Sequence, residues 1–360
     1  MNHSLYSLDY AIDIGHSKSA TEVRVSPDGA TVATCSADAT IRIFNFKTGA
    51  LITTLKGHTK GINTIEYSPI NSDILASGSD DFTIRLWSVS RGKCIKVLKK
   101  HTYHVTALKF TSRGNVLVSG GADETIIVWD LVSGKTLHTM AAHSDPISSI
   151  CLSHDDTIIA SGGYDGIMRL FDTELGQCVK TLTVNSSHGT ATASTADVIN
   201  HPISSVIMSP NSKYIFSSSL DGYIRLWEYS NNKVCKTYGE GSIAAKYCCG
   251  TAIVTDTESP LLVSGSESQG VLVFDVQSRQ TTFEYPCDDV VISVMVYQGD
   301  IVALTMTGKL LRLKLNPEFI HVAEAPHSQL PSSVSESREA TADSTSQVQS
   351  DADVEMDEAY

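Results

Sequence analysis

Short runs in which apolar and polar residues alternate fill the chain from residue 5 to 316. Turn-forming Gly, Pro, Asn and Asp separate them. Ile65-Glu66-Tyr67-Ser68-Pro69 and Thr83-Ile84-Arg85-Leu86-Trp87 are representative. Alternation with a period of two puts one face on a core and the other toward water, so these runs predict strands. No run approaches the roughly 18 consecutive apolar residues of a membrane-crossing helix.

The runs repeat. Histidines stand at His16, His58, His101 and His143, spaced 42, 43 and 42 apart. An aromatic closes a strand-like run at Phe44, Trp87, Trp129, Phe171, Trp227 and Phe274. Six residues before the first five stands an aspartate: Asp38, Asp81, Asp123, Asp165 and Asp221. Ten residues before all six stands a hydroxyl: Thr34, Ser77, Ser119, Ser161, Ser217 and Ser264. Columns that coincide at a period near 42 mark a repeat architecture.

These columns resemble the WD40 repeat, and the third unit ends in a literal Trp129-Asp130. The resemblance implies an all-β, seven-bladed WD40 β-propeller with four strands per blade. It also implies a hydrogen-bonded structural tetrad in each complete blade. The full sets are His58, Ser77, Asp81 and Trp87, then His101, Ser119, Asp123 and Trp129. Phe44 and Phe171 cannot donate the indole hydrogen bond. The first five blades start near residues 15, 57, 100, 142 and 198. The sixth, about 243–283, lacks the His and has Ser268 in the Asp column, and the seventh spans about 288–316. The strand from Leu5 to Ile14 has no blade of its own and is expected to close the ring as the outer strand of the last one.

The propeller is expected over 5–316, with a surface-loop insertion at 183–200 in the blade 4–5 connection. Residues 318–360 hold ten acidic side chains and one basic one, Arg338, a balance of −9. With few large apolar residues, this acidic C-terminal tail is expected to be disordered. The whole chain carries −13, so the other residues carry about −4. That balance speaks against direct nucleic-acid binding, which needs a basic face. The eight cysteines form no CxxC pair, and reduced thiols are expected. No membrane partner is expected, and the N-terminus has no secretory pattern.

A Ser, His and Asp trio invites a search for a catalytic triad. The same trio recurs in several units, and a scaffold repeats where a catalytic site occurs once. His201 lies outside the His column and reads as a loop residue. Cys94 and Cys178 sit at equivalent places in successive outer strands. No phosphate-binding loop, nucleophile elbow or zinc-protease motif is present. Asp80-Asp81 has no third carboxylate near it in sequence, so no metal is expected. The reading is therefore a non-enzyme with no cofactor.

A closer resemblance lies between residues 141 and 248. Ala142-His143-Ser144-Asp145-Pro146-Ile147-Ser148, Ser161-Gly162-Gly163-Tyr164-Asp165-Gly166 and Ser209-Pro210-Asn211-Ser212-Lys213-Tyr214-Ile215 carry it. They resemble the WD-repeat core subunit of COMPASS-type histone H3 lysine-4 methyltransferase complexes. The resemblance implies a nuclear, non-catalytic scaffold whose partners are a SET-domain methyltransferase, a second WD-repeat subunit and a histone tail. It implies a channel mouth that receives an arginine, with Gly61, Asp80, Pro146, Ser148, Tyr164, Ser204 and Cys248 on its rim. The family's aromatic clamp falls on Thr106 and Gly250, which have no ring, and Asn63 and His104 also depart from the pattern. A second partner groove between blades five and six is implied at Asn211, Tyr214, Leu226 and Lys236. The alternative is a WD40 adaptor of another assembly, a ubiquitin-ligase substrate receptor or an RNA-processing scaffold.

Overall fold

A computed structural model describes residues 4–183 and 200–319, apart from 240 and 242. The expected disordered tail, beyond its first two residues, and nearly all of the 183–200 loop therefore lie outside the described residues. The described residues form 28 strands in seven antiparallel sheets of four, numbered here in chain order. In six sheets the strands follow one another from the inner edge outward, as in Ile62–Ser68 (β6), Asn71–Ser79 (β7), Thr83–Ser88 (β8) and Lys93–Lys99 (β9). The chain is an all-β, seven-bladed propeller.

The last sheet is assembled from both ends of the chain. Val291–Tyr297 (β26), Asp300–Thr305 (β27) and Lys309–Leu315 (β28) supply three strands, and Tyr6–Asp13 (β1) supplies the outer one. β1 runs antiparallel to β28, with Tyr6 opposite Leu315 and Asp13 opposite Lys309. The N-terminal strand thus closes the ring, as the resemblance implies.

A four-stranded sheet with two apolar faces cannot bury both by itself, so the core divides into seven layers, one per seam between blades. Ala33, Ile41 and Ile43 of blade one pack on Ile65, Leu75 and Trp87 of blade two. Phe216, Leu226 and Tyr238 of blade five pack on Leu262, Leu272 and Phe274 of blade six.

The tetrads are complete in blades two and three. Trp87 Nε1–H donates to Ser77 Oγ at 2.8 Å, and Ser77 Oγ lies 2.7 Å from His58 Nε2. His58 Nδ1 reaches Asp81 at 2.8 Å. In blade three the corresponding three distances are 2.8, 2.8 and 2.9 Å. Blades one and four keep the His, hydroxyl and Asp contacts without the indole, as the phenylalanines required.

Blades six and seven tie the same loop to the same turn by different chemistry, and blade five does so through the backbone bond from Leu220 N–H to Pro202 O at 2.9 Å. In blade five Trp227 still donates to Ser217, but Asp221 pairs with Arg225, and His201 is exposed. In blade six the carboxylate of Glu267, beside Ser268, accepts N–H bonds from Ala245, Lys246 and Tyr247 at 2.8, 2.6 and 2.6 Å. In blade seven the order is reversed: Asp289 on the entry loop accepts from the Thr307 N–H and hydroxyl on the turn, both at 2.7 Å.

Candidate functional site

The inner strands are β2 (Ala20–Val25), β6, β10 (Val105–Phe110), β14 (Ile147–Leu152), β18 (Ile203–Met208), β22 (Thr251–Val254) and β26. They surround a central channel of about 650 Å³. Six of these strands slip register by one residue just inside the mouth. The slipped residues are Thr21, Asn63, Thr106, Ser148, Ser204 and Ile292, and all six line the channel. A bulge re-aims the side chain it carries, and here it turns a ring of mostly polar groups inward.

Half of that ring also latches one blade to the next. Thr21 Oγ1 donates to the carbonyl of Ile62 at 2.7 Å, and Thr106 Oγ1 to that of Ile147 at 2.5 Å. Asn63 Nδ2 donates to the Val105 carbonyl at 3.0 Å and to Asp80 at 2.8 Å. Thr106 thus occupies the clamp position with a hydroxyl committed to the seam. Gly250 lines the channel with no side chain.

The sequence-derived rim divides in two. Ser148, Tyr164, Ser204 and Cys248 line the channel itself. Tyr164, 42% exposed, puts its hydroxyl 3.3 Å from Cys248 Sγ, spanning blade five at the mouth. Burial holds the Tyr164 phenol well above its ordinary range. Gly61, Asp80 and Pro146 sit in the surrounding turns. Asp80 N–H donates to Gly61 O, and Tyr164 N–H donates to Pro146 O, both at 2.9 Å. A Cβ on Gly61 would lie 3.2 Å from both Asp80 Oδ2 and Ala37 Cα, so a side chain there would press on the turn. His104 Nδ1 lies 3.1 Å from Asp80, and its ring stacks on Tyr103 at 4.4 Å.

The four residues of the implied second groove cluster on blade five. Tyr214 on β19 (Tyr214–Ser219), Leu226 on β20 (Ile224–Glu228) and Lys236 on β21 (Lys233–Tyr238) lie on the sheet face toward blade six. Leu226 is buried in that seam. The Lys236 amine donates to Val276 O at 2.9 Å and Gln277 O at 3.0 Å, both on blade six. Lys96 and Lys180 hold the neighbouring blade's turn in the same way. Lys236 is thus one of a column of seam clamps, a spacing already present in the sequence. Asn211 caps its own turn: its Oδ1 accepts from Ser209 Oγ at 2.7 Å, as Asp28 does from Ser26 and Asp155 from Ser153.

Deeper in the channel a charged network escaped the sequence reading. Glu66 accepts from Arg24 Nε at 2.7 Å and from Lys109 Nζ at 2.5 Å. Glu22 pairs with Arg24 and accepts the Ile65 N–H at 2.7 Å. Burial opposes ionisation of Glu66, but Lys109 and Arg24 outweigh it and its pKa is lowered, whereas burial raises that of Glu22. The signal was a column: Arg24, Glu66 and Lys109 recur at spacings of 42 and 43 with alternating sign.

The Ser, His and Asp trios are structural in their geometry. Ser77, Ser119 and Ser161 are fully buried, with their hydroxyls held by the histidine. Burial lowers the His58 pKa, while burial is outweighed at Asp81 by bonds from Thr83, His58 and Thr59, which bring its carboxyl down to about 2. The pair is therefore a neutral imidazole donating to a carboxylate. Among the described residues no group of three His, Cys, Asp or Glu side chains is arranged to hold a metal.

A comparison with the curated proteins finds a local likeness to the Lissencephaly-1 homolog of Caenorhabditis briggsae, 46% identical over 52 residues. That stretch is 14% of this chain and spans only 13% of the relative's length. A family model described as the WDR5 beta-propeller domain matches residues 12–310, from the closing strand into the last blade. Propellers of this kind are typically non-catalytic platforms for protein interaction, and the chain belongs to the WDR5 beta-propeller family.

Proposed function

We propose that the chain is the WD-repeat scaffold subunit of a nuclear, COMPASS-like histone H3 lysine-4 methyltransferase complex. It holds a SET-domain methyltransferase and a second WD-repeat subunit together and catalyses nothing itself. The observation that carries this reading is the match to the WDR5 propeller over residues 12–310. The gathering of Ser148, Tyr164, Ser204 and Cys248 at one channel mouth supports it. An arginine entering that mouth from the SET-domain subunit or a histone tail meets hydroxyls and carbonyls rather than a pair of rings. Without the rings it forgoes roughly 1–4 kcal/mol of stacking. The groove between blades five and six offers Tyr214, with Leu226 buried in the seam beneath it, while Lys236 and Asn211 shape the surface on which a segment would rest.

The missing rings at Thr106 and Gly250 favour a second reading, an adaptor in a ubiquitin-ligase or RNA-processing assembly. Affinity purification of the tagged protein from its own cells, with mass spectrometry, separates the two. Near-stoichiometric recovery of a SET-domain protein and a second WD-repeat subunit is expected. Recovery of a ligase or an RNA-processing set would replace the first reading with the second.

A further inference from the structure

The outer strand of blade two stands apart in charge. Between Arg91 and Lys100 lie five basic residues, Arg91, Lys93, Lys96, Lys99 and Lys100, and no acidic one. β9 itself carries three lysines, and no other outer strand carries more than two basic residues. Lys96 is committed to the turn of blade three, through Leu131 O at 2.7 Å and Val132 O at 3.2 Å. The other four are exposed, and among the described residues none has a carboxylate at ion-pair distance.

The pattern along β9 has two faces. Cys94, Lys96 and Leu98 turn inward, with Leu98 in the core between blades two and three. Lys93, Ile95, Val97 and Lys99 are all exposed, Ile95 by 50% and Val97 by 39%. An apolar pair is thus bracketed by two cations at alternate positions. β9 pairs with β8 on one side, and among the described residues its other edge carries no strand.

We propose that this edge docks an extended acidic and apolar segment of a partner protein, which adds to blade two as a fifth strand. Edge hydrogen bonds supply the alignment, as in other strand-addition complexes. Ile95 and Val97 receive alternate apolar side chains, and Lys93 and Lys99 select for acidic ones. Lysines on an edge also discourage edge-to-edge self-association. That role alone calls for no exposed apolar pair between them. A nucleic-acid backbone would meet the same cations, but it would approach a chain whose overall charge is −13. The surface lies away from the channel and the blade five groove, so the inference stands whichever assembly the chain joins.

The test uses the full chain and a short labelled peptide alternating glutamate and valine, followed by fluorescence anisotropy. Saturable binding is expected. A Lys93→Glu/Lys99→Glu variant weakens it by at least about tenfold. Ile95→Thr/Val97→Thr also weakens it, while Lys233→Glu on blade five leaves it unchanged, with thermal unfolding of every variant matched to the parent. A peptide N-methylated at alternate amides keeps its charge and loses binding. Equal binding by that peptide, or by the charge-reversed variant, overturns the proposal. Tighter binding of a single-stranded oligonucleotide than of the peptide overturns it in favour of nucleic acid.

Discussion

Blades two and three and blades six and seven solve one problem with different residues. Each must tie the loop entering its inner strand to the turn between its second and third strands. Blades two and three use a relay from indole to hydroxyl to imidazole to carboxylate. Blades six and seven use one carboxylate each, Glu267 on the turn and Asp289 on the loop, accepting N–H bonds directly. The fold requires the tie and is indifferent to its chemistry. What the relay adds is packing, because the indole fills the seam as well as donating to serine.

The comparison can be broken most severely at the indole. Trp129→Ala removes a fully packed side chain and the indole donor to Ser119, which keeps its bond to His101, and should cost about 3–5 kcal/mol in chemical denaturation. An unchanged midpoint would mean that the relay carries nothing. Asp81→Ala strips the carboxylate from a buried imidazole and should cost about 2–3 kcal/mol. Glu267→Gln keeps an acceptor for the same amides and should cost about 1 kcal/mol. A larger loss at Glu267 than at Asp81 would reverse the ranking of the two kinds of tie.

Acid sharpens the contrast. The Asp81 carboxyl sits near 2 when folded against about 4 in an open chain, so its contribution is present above pH 4 and is lost as pH falls toward 2. The lowered pKa values of His16 and His58 act with the same sign, beginning as pH drops below about 6.5. Urea midpoints should therefore fall steadily from pH 7 to pH 3. Asp81→Asn should flatten the lower part of that decline and leave the upper part in place. The smallest effect is expected at a seam clamp: Lys236→Glu should cost about 1 kcal/mol of stability. It should also weaken recovery of partner subunits, and normal complex assembly would remove the blade five groove from the proposed function.

Ring size and tetrads were legible in the sequence because they demand fixed residue types at fixed spacings, whereas the closing strand carries none of those columns and was placed by the resemblance alone. His58, Ser77, Asp81 and Trp87 are recognisable for that reason. The ties of blades six and seven were not legible. A lone glutamate one residue out of column, or an aspartate moved to the other partner, leaves no repeating signature. The ring of bulged residues at the channel mouth was hidden for another cause. A bulge belongs to the pairing of two strands, so Thr21 and Ile292 look ordinary until their partners are known. The charged column at Arg24, Glu66 and Lys109 and the clamps at Lys96, Lys180 and Lys236 did carry a period, and a search over charges as well as aromatics would have found them.

The pairing of β1 with β28 has a consequence in time. Tyr6 is synthesised before every other strand of the ring, yet its neighbour Leu315 is more than 300 positions downstream. During synthesis β1 has no β28 to pair with until residues 309–315 have been made. Contacts this distant are slow to form and leave intermediates open to aggregation. Closure of the ring therefore cannot precede synthesis of its last strand. A ribosome that stalls before Lys309 would release an unclosed ring.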